Sequence, residues 1–413
     1  MQDLEHWGIV LSNQVDKKTF IQTILTNHTI PELQNYKGKK GVLFSDIAID
    51  AYIKKEYYED DLKNSLLQQD RKLRTFSSGE RKKVYLEYCI NQSPDFIIVD
   101  NPLDHLDIKS RKLIAIQLEE ISKKTALIII VNRQVDLFPF VSNKAVIKDN
   151  SFAFHPFKIE IENLQSHAAP TIPPPLDSVE LTTDTLVKMT DLNVSYFEKS
   201  ILKNINWTIK KGDFWHLHGP NGSGKSTLLS LITGENTKGY GQDLQLFGIQ
   251  KGSGETIWDI KKNIGYFSTA MTDLFQKNDS LENMVLSGFF DSIGLYVQPT
   301  QLQKKRAAEW LSIVAMTEYK NKLFRNLSVG QQRIALIIRA VLKHPPLLIL
   351  DEALEGLDDQ NIALVSELIS LLSTQTDIAI LYVSHRKEPS IQPKYFIELI
   401  PSPEGSTATI NLN

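Results

Sequence analysis

Cysteine is nearly absent: Cys89 is the single one in 413 residues, which excludes an intramolecular disulfide. It sits in the apolar rhythm of VYLEYCI, so a buried core thiol is expected rather than a reactive one. Long hydrophobic runs are lacking as well. ALIIIV and LLILD fall far short of the roughly 20 apolar residues that span a bilayer. The start, MQDLEHWGIVLS, has neither a basic n-region nor a long apolar stretch, so a cytoplasmic protein is expected, and a role at the inner face of a membrane would need a partner. There is no basic excess either. With 46 Lys and Arg against 49 Asp and Glu, a net charge of −3 and a pI of about 6.3, the chain carries no general field for nucleic acid, which is not expected as a partner. What remains is ordinary: 42% hydrophobic and 23% charged residues over this length suit two domains with sizeable cores.

An internal repeat organises those domains. The segment from Trp7, WGIVLSNQVDKKTFIQTIL, lies over WHLHGPNGSGKSTLLSLI from Trp215, which places Lys17 on Lys225. Thr75 to Asp107 lies without a gap over Asn326 to Asp358, placing Gly79 on Gly330, Asp100 on Asp351 and Asp107 on Asp358. Between the repeats, NLQSHAAPTIPPPLDSVELTTDT is rich in proline and polar residues without a helical or strand period, as an extended linker is. The expected domains are therefore 1–162, a linker at 163–185, and 186–413.

Within the second half, FWHLHG reads as a strand, STLLSLIT as a helix, and LLILD and IAILYVS as strands of a parallel sheet covered on both faces. The fold class is α/β. From Thr300 to Glu318 the apolar residues keep helical spacing, with Trp310 expected to be buried packing.

The chemistry concentrates in GPNGSGKST, Gly219 to Thr227, which has the P-loop spacing. Gly222 and Gly224 free the backbone to point N–H groups at phosphate, and the following helix adds the positive end of its dipole. Asn221 and Thr227 belong to the same loop. Lys225 is expected to reach the β- and γ-phosphates of ATP and the Ser226 hydroxyl to ligate Mg2+. Downstream, LLILDE supplies Asp351 to hold the metal and Glu352 to orient or deprotonate the attacking water.

These motifs carry a resemblance. LSVGQQR ahead of LLILDE, with a histidine after the next strand in YVSHR, is similar to the ATP-binding cassette (ABC) ATPases, and the likeness extends over both halves. TGENTKGYGQDLQLFGIQKGSGETIWDIKKNIGYFS with LSGFFDSIG further resembles the ModF/PhrA group of tandem cassettes, labelled as molybdenum-transport ATP-binding or photorepair proteins. The resemblance implies two P-loop nucleotide-binding domains in tandem, with each ATP held between the P-loop of one half and the signature of the other. It implies Tyr196 as the aromatic residue on adenine, His385 as the histidine at the γ-phosphate, and Ser328 and Gly330 as the second signature. It also implies a membrane permease as partner, with molybdate transport or its regulation as the work. One departure bears on that partner: Thr269 stands in IGYFST where cassettes usually carry a glutamine that couples to it.

The first half departs further. LSNQVDKKT has no P-loop glycine and leaves Lys17 as the one residue with a plausible phosphate contact. Asn101 replaces the catalytic glutamate and Asn132 the histidine, and the small β region that would hold an adenine-stacking tyrosine is missing. A truncated, degenerate cassette is expected, whose surviving Ser77 and Gly79 in FSSGE serve the other half's ATP. The alternatives are a nucleotide-gated scaffold with little hydrolysis, and a ribosome-associated tandem factor.

Overall fold

The structure is a computed structural model and describes residues 4–26, 30–58, 72–157, 170–176, 181, 183–275 and 278–412. Much of the expected linker, at 163–169, 177–180 and 182, lies outside the described residues. The chain divides into two compact units: Met1–Asn163 with the short segment Gly356–Asp359, and Leu164–Glu355 with Gln360–Asn413.

The first unit runs β1 (Trp7–Leu11), α1 (Lys17–Leu25), β2 (Gly41–Phe44), α2 (Asp46–Tyr58), α3 (Ser78–Asn91), β3 (Phe96–Asp100), α4 (Ile108–Ser122), β4 (Ala126–Val131), β5 (Asn143–Ile147) and β6 (His155–Pro156). Its sheet has the order β2-β3-β4-β1-β5-β6, parallel except for β6 at the edge. FIIVD and ALIIIV lack alternation because both faces are covered. Ile97, Val99, Leu127 and Ile129 meet Leu86, Cys89 and Leu118 on one side. Their neighbours Phe96, Ile98, Ile128 and Ile130 meet Phe20 and Ile24 on the other. Burial pushes the Cys89 thiol up to about 12, so the lone cysteine is the inert core residue expected.

The second unit runs β7 (Thr185–Tyr196), β8 (Lys199–Lys210), β9 (Phe214–His218), α5 (Lys225–Ile232), β10 (Asp243–Leu246), β11 (Ile249–Gln250), α6 (Ile257–Lys261), β12 (Ile264–Ser268), α7 (Leu281–Leu286) and α8 (Gln301–Ile313). It continues through α9 (Val329–Val341), β13 (Leu347–Asp351), α10 (Asp359–Gln375), β14 (Ala379–Val383), β15 (Tyr395–Ile400) and β16 (Thr407–Leu412). The main sheet, β12-β13-β14-β9-β15-β16, repeats the first unit's order strand for strand, including the antiparallel edge. A second, antiparallel sheet, β11-β10-β7-β8, has no counterpart among the described residues of the first unit. Leu186, Val187 and Met189 of that sheet, Leu228 and Ile232 of α5, and Trp215 and Leu217 of β9 form one core, which holds the start of α5 between the two sheets.

Trp310 is fully buried in α8, as its spacing predicts. The helix itself is shorter than the 300–318 pattern. Thr300 caps it, and the chain leaves it at Val314 and turns left-handed at Ala315 (φ 53°) before a 3-10 turn at Thr317–Tyr319. The apolar period thus outlives the helix, because Val314 and Met316 are still buried beyond its end.

Candidate functional site

Between β9 and α5 the chain forms a loop that side chains could not follow. Gly222 (φ 76°) and Gly224 (φ 92°) are left-handed. A Cβ on Gly224 would fall 2.8 Å from Leu202 Cδ2, whereas one on Gly222 would meet nothing within 4 Å, so the loop is open on that side. Gly224 is the N-cap of α5 and supplies no side-chain acceptor. The first N–H groups of the helix, at Lys225, Ser226 and Thr227, are therefore offered to an external anion together with the helix dipole. Asn221 and Ser226 are exposed on the same loop and Thr227 is half-buried. Lys225 Nζ folds back on the loop, donating to the carbonyls of Gly219 (2.7 Å) and Pro220 (3.1 Å).

The ends of the neighbouring strands bring the remaining groups to Lys225. Glu352, directly after β13, adopts a left-handed conformation (φ 53°) and donates its N–H to Val383 O at 2.9 Å. This turns its carboxylate to His385, beyond the end of β14, with Glu352 Oε1 3.3 Å from His385 Nε2. The other ring nitrogen, Nδ1, lies 3.5 Å from Lys225 Nζ. A cation, an imidazole and a carboxylate thus line up beside the uncapped helix start.

Asp351 ends β13, and burial pushes its carboxyl above the usual range, while Tyr266 donates a weak hydrogen bond to Oδ2 at 3.4 Å. Neutralisation by a cation would relieve that burial cost. Among the described residues no group of three or more His, Cys, Asp or Glu could hold a metal by itself. A hydroxyl and one carboxylate, Ser226 and Asp351, are nevertheless a donor set suited to Mg2+, which keeps several waters and takes further oxygens from phosphate. Tyr196, at the end of β7, is 38% exposed and accepts a hydrogen bond from Asn236 Nδ2 at 2.8 Å. Lys238 Nζ lies 5.9 Å from its ring centre.

The corresponding places in the first unit are filled from within. Where α5 has Gly224, α1 has Asp16, whose carboxylate accepts from Thr19 N–H and Oγ1. The helix start therefore carries its own anion. Lys17 Nζ donates to Asp100 Oδ1 at 2.9 Å. Asn101 repeats the left-handed conformation of Glu352 (φ 41°), and its Oδ1 accepts from the Asn132 N–H at 3.2 Å. Sequence reasoning missed what the loop does instead. Asp358 Oδ2 accepts from Asn13 N–H (2.7 Å) and Ser12 Oγ (3.2 Å), Asp358 N–H donates to Asn13 Oδ1 (2.7 Å), and Asn132 Nδ2 donates to Gly356 O (2.7 Å). These contacts draw Gly356–Asp359 into the first unit.

Ser77 and Ser328, which the resemblance assigns to signatures, have matched geometry. Ser77 caps α3 and Ser328 caps α9, each within a capping box, closed by Glu80 and Gln331 respectively. Glu80 Oε2 accepts from both the N–H and the hydroxyl of Ser77, each at 2.9 Å. Their glycines have a packing reason that was not legible in the motif. A Cβ on Gly79 would fall 2.6 Å from Ser110 Oγ, and one on Gly330 2.3 Å from Asn361 Nδ2. Asp107 caps α4 by accepting from Ser110 N–H at 2.8 Å, and Thr269 opens a short 3-10 turn after β12.

Among the described residues no helix is long and apolar enough to cross a membrane. Residues 202–355 match the family described as ABC transporter. The chain is 38% identical over 334 residues to the ABC transporter ATP-binding protein ModF of Escherichia coli, covering 77% of this chain and 68% of that one. It is 31% identical over 292 residues to an uncharacterized ABC transporter ATP-binding protein of Schizosaccharomyces pombe, covering 68% of this chain and 59% of the other. Among solved structures, archaeal ribosome recycling factor aABCE1, in its complex with the ribosomal stalk protein aP1, aligns with a TM-score of 0.59 at 19% identity. That alignment covers 98% of this chain and 85% of the other, and is a likeness of fold.

Proposed function

Since the chain belongs to the ATP-binding cassette ATPases and is an ATP hydrolase, we propose that hydrolysis takes place at the loop Gly219–Thr227 with Glu352 and His385 as its catalytic residues. The observation that carries this reading is the line of Lys225, His385 and Glu352, at 3.5 and 3.3 Å, beside a helix start that no side chain caps. Phosphate oxygens of ATP take the N–H groups of Lys225, Ser226 and Thr227. Lys225 leaves the Gly219 and Pro220 carbonyls for the β- and γ-phosphates, and Tyr196 offers its ring to adenine. Ser226 and Asp351 would hold Mg2+, which supplies charge neutralisation on the phosphates when bound.

Glu352 takes a proton from water as the water oxygen bonds to the γ-phosphorus, and the bond from that phosphorus to the bridging β–γ oxygen breaks. The electron pair leaves with ADP. His385, between Lys225 and Glu352, holds the carboxylate at its working angle and stands beside the γ-phosphate.

The first half contributes the partner signature, Ser77 and Gly79, and its own loop hydrolyses no ATP. The support lies in the filled helix start at Asp16, the Lys17–Asp100 pair, and Asn101 in place of a carboxylate. Phosphate release tests this: Glu352→Gln in the full chain should lose turnover and keep ATP binding, and unchanged turnover would remove Glu352 from the mechanism. For the work that hydrolysis drives, the resemblance to the ModF/PhrA group supports a membrane permease as partner, with molybdate as cargo. Co-purification of a permease with the Glu352→Gln chain tests this, and its absence from the bound fraction would count against a transport role.

A further inference from the structure

Behind the hydrolytic pair lies a buried polar contact that the reaction scheme above does not use. His216, at the middle of β9, is 3% exposed, and Ser384, just past β14, is 4% exposed. His216 Nε2 is 3.2 Å from Ser384 Oγ, and Ser384 Oγ donates to Arg386 O at 2.5 Å. A serine hydroxyl has one proton. Because that proton goes to Arg386 O, the oxygen must accept from the ring, which fixes His216 as the Nε2–H tautomer. Around the ring stand Tyr382, His218 and Phe396, with centres 5.2, 5.4 and 5.7 Å away. Burial, reinforced by neighbouring His218, keeps the ring neutral. An apolar side chain would fill this place without the desolvation cost of an imidazole, so the polar contact calls for a use.

Its use follows from the chain path. Ser384 N–H donates to Leu217 O at 3.3 Å, extending the pairing of β14 with β9 by one residue. The Arg386 carbonyl is held by the Ser384 hydroxyl. The residue between these two anchors is His385, whose ring must span Lys225 Nζ and Glu352 Oε1. We propose that His216 is a positioning residue for ATP hydrolysis: its Nε2–H, through the Ser384 hydroxyl and the Arg386 carbonyl, fixes the turn that presents His385 to Glu352. The inference rests on the reading of Glu352 and His385 as the hydrolytic pair.

The test uses the full chain and reads kcat and KM for ATP separately, with thermal unfolding as a control. His216→Leu, which keeps the volume and loses the donor, and Ser384→Ala, which removes one oxygen, are each expected to lower kcat about tenfold with KM nearly unchanged, alongside a modest fall in melting temperature from the buried groups left unpaired. His216→Gln, whose amide can donate from about the same place, is expected to retain most of kcat. The double variant His216→Leu/Ser384→Ala should be no slower than the slower single, because both cut one chain of hydrogen bonds. A wild-type kcat in Ser384→Ala, or losses that multiply in the double variant, would overturn the proposal; Ser384→Ala keeps the test decisive if His216→Leu fails to fold. Glu352→Gln separates the two levels. If it turns over normally, the hydrolytic reading fails; if it is slow while Ser384→Ala is not, only the role of His216 fails.

Discussion

Lys17 Nζ donates to Asp100 Oδ1 at 2.9 Å, whereas Lys225, at the same place in the second unit, donates to the carbonyls of Gly219 and Pro220. The difference is one of availability. A phosphate is a stronger acceptor than the two loop carbonyls to which Lys225 donates, whereas Lys17 pairs with a carboxylate that is 9% exposed. Lys225→Ala is expected to abolish ATP turnover and Lys17→Ala to change it less than tenfold. Lys17→Ala should instead lower stability, since it leaves Asp100 unpaired. Phosphate release and urea unfolding, run on both variants, check the two halves of this expectation.

A general base contributes roughly 10²–10⁴-fold to rate, and Glu352 is the carboxylate that follows Asp351 where the first unit has Asn101. Glu352→Gln should therefore lower turnover by about that factor with ATP affinity preserved. The converse change, Asn101→Glu, should give no second site: Asp16 still caps α1 and Lys17 still pairs with Asp100. Equilibrium ATP binding to this variant, measured for stoichiometry, checks it.

What the sequence made legible follows its periodicities. The parallel strands were readable as apolar runs because burial on both faces removes polar alternation, and the glycine loop was readable because Gly222 and Gly224 answer to backbone geometry. Contacts made across long stretches of chain were not readable. Ser110 lies 31 residues beyond Gly79, and Asn361 the same distance beyond Gly330, so nothing local showed that both glycines are required by helix packing. Nor did HLH, read simply as strand, show that His216 would meet Ser384, which is 168 residues away. The end of α8 at Val314 was masked by apolar residues that stay buried beyond the helix.

The packing of those glycines decides how the signatures should be compared. A side chain at Gly79 or Gly330 would collide with its neighbouring helix, so its effect on turnover could be structural. The serines provide a matched pair. Ser77 and Ser328 each cap a helix through the N–H three residues on, so alanine should cost about 1 kcal/mol of stability at either place. If FSSGE serves the working ATP, Ser77→Ala should reduce turnover more than tenfold and Ser328→Ala should leave most of it. Steady-state ATPase rates of the two variants, normalised by their melting temperatures, check the order. The reverse order would assign the working clamp to Ser328.

The pH dependence of stability should report the buried imidazole at His216. Burial, then His218, lowers its pKa from the ordinary 6.5 to about 4 in the folded chain. Between those values the unfolded chain binds a proton that the folded chain refuses, so stability rises with pH there and falls as pH drops from 6.5 towards 4. Above 6.5 the group is neutral in both states and its full contribution is present; below about 4 both states are protonated and the loss levels off. A shift of this size corresponds to about 3 kcal/mol at most. His218 is lowered in the same direction by burial, and Lys387 adds positive charge near both rings, so the wild-type slope is shared. The difference between wild type and His216→Gln isolates one ring. Urea unfolding of the full chain from pH 4.5 to 7 should show a steeper loss of stability on acidification in wild type than in His216→Gln, with the two slopes parallel above pH 6.5. Equal slopes throughout would mean that the His216 ring titrates in the folded chain as it does unfolded, and the neutral buried ring would lose its support.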